Sequence, residues 1–68
     1  MKNPFISLTL SQNKSDISIN VNHIACVYSE GPRVTVQLTS GKYIEVIEKY
    51  HLILDFIDNV FVNDLDTN

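Results

Sequence analysis

Up to Val46 the chain alternates. Ile6, Leu8 and Leu10 fall on one side, and Phe5, Ser7 and Thr9 on the other. That period of two marks a half-buried strand. The polar cluster Ser11–Asp16 predicts a turn. Ile17, Ile19 and Val21 then alternate with Ser18 and Asn20 as a second strand. Val21-Asn22-His23-Ile24 reads as a tight break before a third run, Ile24-Ala25-Cys26-Val27-Tyr28. Glu30-Gly31-Pro32 ends that run, because glycine accepts positive φ and proline fixes its own φ. Val34, Val36 and Leu38 alternate with Thr35, Gln37 and Thr39 as the clearest strand. Ser40-Gly41 predicts a two-residue hairpin turn. Ile44 and Val46 follow on the core side, with Tyr43 and Glu45 outward.

From about Glu48 the period changes. Tyr50, Ile53, Leu54, Ile57, Val60 and Phe61 are spaced by threes and fours, the mark of an amphipathic helix. Asn63-Asp64 is the expected stop. The predicted fold is α+β: a small antiparallel five-stranded meander packed against one C-terminal helix. Leu38, Ile44, Val46, Ile53, Leu54 and Ile57 are the expected core. At about 100° per residue from Tyr50, the apolar stripe runs from about 280° through zero to about 40°. Leu52 and Phe56 lie outside it, four residues apart and therefore neighbours. Either the sheet curls enough to bury this apolar shoulder, or the shoulder pairs with another chain.

Composition limits what such a fold can do. With 68 residues, 44% apolar and 19% charged, the chain makes one domain. Its expected extent is residues 1–63, followed by a frayed acidic tail at 64–68. A domain this small buries only about 60% of its unfolded surface, so association is a natural source of further burial. Cys26 is the only cysteine, which excludes an internal disulfide and suits a reducing compartment. No apolar run spans a membrane, and no signal peptide or lipidation motif is visible. Cytoplasmic location is the expectation.

The net charge of −3 is unevenly spread. Residues 1–44 carry four basic and two acidic side chains; residues 45–68 carry Lys49 against six acidic ones. Phosphate backbones need clustered cations, so nucleic acid is an unfavoured partner. The candidate chemistry is sparse. His23 and Cys26, with His51 and Asp55, supply four potential metal ligands, but side chains three apart on a strand point to opposite faces. Cys26, within an apolar run, reads as a small core residue. Glu45, Glu48, Asp55 and Asp58 read as solvated charge, because general acid–base work needs a cleft with shifted pKa values. No catalytic residue, metal, cofactor or small-molecule substrate is expected. The outward strand positions, with Phe5 and Tyr43 among hydroxyl and amide side chains, form a low-charge face suited to contact.

Two resemblances add to this. Ile6–Leu10, Ile19–Ile24 and Val34–Glu48 resemble the small flagellar-operon proteins of the FlbD type. That family has short strands, a Gly-Lys turn matched by Gly41-Lys42, a V-x-E end matched by Val46-Ile47-Glu48, and a terminal helix. Over Ile17 to Ile57 the chain is also similar to the LytTR type of DNA-binding domain, which implies a nucleic-acid-binding regulator. The expected function is a non-catalytic protein-interaction and regulatory module that forms homo-oligomers. The alternatives are the LytTR-like regulator and a phage-type inhibitor of a host protein. The expected partner-binding residues are Leu52 and Phe56, with Tyr50 or Leu65 at the edge.

Overall fold

The computed structural model describes residues 3–66, with side chains described for 3–61. The strands are β1 (Phe5–Thr9), β2 (Asp16–Asn20), β3 (Ile24–Glu30), β4 (Arg33–Leu38) and β5 (Tyr43–Val46), followed by the helix α1 (Tyr50–Asp66). A single turn of 3-10 helix, Val21–His23, links β2 to β3. Asn20 caps it, its Oδ1 accepting from the Asn22 amide at 2.9 Å.

The five strands do not form one meander. β1 and β2 make a two-stranded antiparallel sheet, and β3, β4 and β5 make a three-stranded one. The 3-10 turn separates β2 from β3, where a meander would pair them. The sheets meet instead at the far ends of β1 and β5. Leu10 and Val46 form an isolated antiparallel bridge. Around it the Ser11 amide donates to Glu45 C=O at 2.9 Å and the Ile47 amide to Thr9 C=O at 3.1 Å.

The turns differ from expectation in one informative way. The two-residue hairpin loop is Gly31-Pro32, between the paired Glu30 and Arg33. Gly31 has φ of 59°. Proline at the second position cannot follow it to positive φ, so only the type II′ form is compatible. Four residues, Thr39 to Lys42, separate β4 from β5, and the Leu38 amide closes the turn on Lys42 C=O at 2.8 Å. Gly41 does take positive φ, 95°. A Cβ there would meet nothing within 4 Å, so any penalty is purely conformational. Gly41→Val should therefore cost about 1–2 kcal/mol. Urea midpoints would show it, and a midpoint equal to the wild type would refute the assignment.

The core lies between the two sheets and under α1. Leu8, Val36 and Ile53 are its most deeply buried large side chains, with Ile6, Ile19, Val21, Val34 and Val46 around them. Leu38, Ile44 and Ile57 pack at the periphery. Two expectations change here. Leu54 is only half-buried and outside the cluster, whereas Phe56 packs against it. The buried stripe is thus centred near Ile53, rotated by about 50° from the stripe read by periodicity. Cys26 is exposed, not a core residue. The β3–β4 register shifts between Ile24 and Cys26. That bulge lets Ile24 and Val27, three apart, both pack on the core, and it turns Cys26 outward, with its thiol 3.3 Å from Gln37 Oε1.

α1 runs to Asp66, past the expected stop at Asn63-Asp64. Asn and Asp weaken a helix by well under about 1 kcal/mol each, and no glycine or proline is present to end it. Of the tail, Thr67 and Asn68 lie outside the described residues, as do Met1 and Lys2. No described helix is long and apolar enough to cross a membrane.

Candidate functional site

α1 begins just after Glu48, and this residue decides where the helix sits. The Glu48 carboxylate accepts from the Thr9 amide (Oε1, 2.9 Å) and from the Thr9 hydroxyl (Oε2, 2.9 Å). The chain has by then left the edge of β1, so the side chain replaces the next backbone acceptor. It pins α1 beside β1, and its role is structural, not the solvated one expected from sequence.

This placement splits the predicted shoulder. Leu52 stays outside, with 43% of its surface in water. Phe56, one turn further on, leans against the core and lines a cleft beside β1. The cleft has a volume of about 470 Å³ and is walled by Asn3, Phe5, Ile6 and Ser7 on one side and by Phe56, Asn59 and Val60 on the other. Phe5 is 49% exposed at its rim. Phe56 and Phe5 thus face each other across the cleft, with Leu52 one turn earlier on the same face of α1. Tyr50 is not part of it. Residues two apart on a helix face different ways, and Tyr50 is half-buried with its ring edge-on to His51 at 5.6 Å between centroids. The Leu65 side chain lies outside the described residues.

The other candidates stay apart. His23 and Cys26 are both exposed, on the 3-10 turn and on β3. Among the described residues no three His, Cys, Asp or Glu side chains come together as a metal site would require. Arg33 Nε and Glu45 Oε2 are 3.9 Å apart, but both are well exposed, so this pair adds little. Outside the helix, the uncovered face of β3–β5 is a paired grid: Cys26, Gln37 and Tyr43 in one row, Tyr28, Thr35 and Glu45 in the next.

Sequence reasoning missed Phe5 as a wall of the cleft, and the cleft itself. Alternation placed Phe5 outward, which is correct, but nothing local says that α1 stands beside that edge. The one available signal was Glu48, an acidic residue between two apolar segments. No family model matches the chain, nor does any curated protein or solved structure.

Proposed function

We propose that this chain is a small non-catalytic interaction module, regulatory in role, that acts by association through the shoulder of α1. The supporting observation is the apolar side chain left in water there: Leu52 stands free one turn from Phe56, with Phe5 across the cleft. Burying about 100–200 Å² of such surface is worth several kcal/mol at about 25 cal/mol per Å². Part of this is lost to the rigid-body cost of association. A homodimer is the simplest form, since a two-fold axis at Leu52 sets that residue against its own copy. The exposed thiol of Cys26 suits a reducing compartment, and we place the module in the cytoplasm.

Sedimentation velocity over a range of concentrations tests this reading. The wild type should associate reversibly. Leu52→Lys should weaken association at least about tenfold, or 1.4 kcal/mol, with an unchanged circular dichroism spectrum. A wild type that sediments as a monomer at millimolar concentration, or a variant that sediments like the wild type, rules out self-association at this surface.

A further inference from the structure

We infer that the open edge of β1 takes up an extended segment of another protein as an added strand, continuing the line that β5 abandons at Ile47. This rests on the reading of the chain as an interaction module, and the site shares Phe5 and Phe56 with that surface but does not include Leu52.

In an antiparallel sheet the N–H and C=O of one residue point to the same edge, and alternate residues point to opposite edges. The Val21 amide donates to Pro4 C=O at 3.0 Å, so the even-numbered residues of β1 face β2. The odd-numbered residues face the other edge. There β5 occupies Thr9 C=O and Ser11 N–H, on either side of the Leu10–Val46 pair. Glu48 then takes the Thr9 amide. At the far end, Asn3 Oδ1 accepts from the Phe5 amide at 3.1 Å. Between these, Ser7 N–H, Ser7 C=O and Phe5 C=O have no partner among the described residues. They open on the cleft walled by Phe56, Asn59 and Val60.

These groups specify a strand and its register. A residue opposite Ile6 would form a non-hydrogen-bonded pair, like Leu10 and Val46. The residue before it would accept from Ser7 N–H, and the residue after it would donate to Phe5 C=O. Side chains at such a pair are close, and the one opposite Ile6 points inward onto Phe56 and Val60. The inward residue is therefore apolar and β-branched, and its neighbours stand outward beside Phe5 and Ser7. A second copy pairing edge to edge through its own β1 does not fit. Its own β1 edge is flanked by its own helix, about 10 Å across, whereas a strand needs only about 4.8 Å.

The probe is the capped peptide Lys-Thr-Thr-Val-Thr-Thr-Lys, and the readout is amide NMR of the full chain. The peptide should shift the Phe5, Ser7, Phe56 and Val60 amides. At saturation it should slow exchange of the Ser7 amide at least about tenfold. N-methylation of the threonine after valine removes the donor to Phe5 C=O and should weaken binding at least about tenfold. Ser7→Pro removes the protein donor at a site where an edge strand tolerates proline, and should abolish the response. Leu52→Lys should leave peptide binding intact, which separates this inference from self-association. The inference is overturned by equal binding of the N-methylated peptide, by shifts confined to β2, β3 or Leu52, or by no response at millimolar peptide.

Discussion

Ile53→Ala should leave this chain largely unfolded in mild denaturant, with a loss of roughly 2–5 kcal/mol. Ile53 has no accessible surface and lies at the centre of the stripe that α1 presents to both sheets. Its removal leaves a cavity in the cluster it shares with Leu8 and Val36, and the cost rises with the volume left unfilled. A domain of this length has only roughly 3–10 kcal/mol to lose. Leu54→Ala is the control. Leu54 is half-buried and outside the core cluster, so its truncation should cost only about 1 kcal/mol. Urea denaturation of both variants checks the order. If Leu54→Ala proves the more damaging, the helix is rotated towards the orientation that simple periodicity suggests.

The second large effect is expected at Glu48. Its carboxylate holds both the amide and the hydroxyl of Thr9, in a part-buried site where the two sheets and the helix meet. Glu48→Ala leaves the Thr9 amide without an acceptor and should cost about 2–3 kcal/mol, the scale for hydrogen bonds to a charged group plus an unsatisfied donor. Glu48→Gln retains one carbonyl acceptor and should lose roughly half as much. Exchange of the Ile47 amide should quicken in both variants, because its bond to Thr9 C=O lies next to the lost clasp. A Glu48→Ala variant with the wild-type midpoint would show that β1 and β5 hold without it.

Both expectations depend on contacts between residues some forty positions apart, and this is where sequence reading stopped. The strands were legible, since alternation at Ile6 and Leu8 or at Val34 and Val36 is a local consequence of the pleat. Gly31 and Gly41 were legible as turns, because positive φ is a property of one residue. The loop lengths were not. Whether Thr39 belongs to the strand or the loop depends on which amide its partner strand leaves open. Cys26 was misplaced because a bulge adds one residue to one strand and reverses every later side chain, yet leaves no mark in composition.

The sequence by itself therefore determined the elements: five strands, one amphipathic helix, an acidic second half, and an apolar shoulder at Leu52 and Phe56. Periods of two and of 3.6 residues follow from backbone geometry, and each is written in a handful of consecutive residues. Only the tertiary structure decided that the strands divide into two sheets joined at Leu10 and Val46. Only it turned Phe56 inward while leaving Leu52 in water, and set α1 beside the open edge of β1. These outcomes hang on which distant surfaces bury one another and on a single carboxylate reaching Thr9. Such pairings are settled by competition among long-range contacts, and no local pattern records the result.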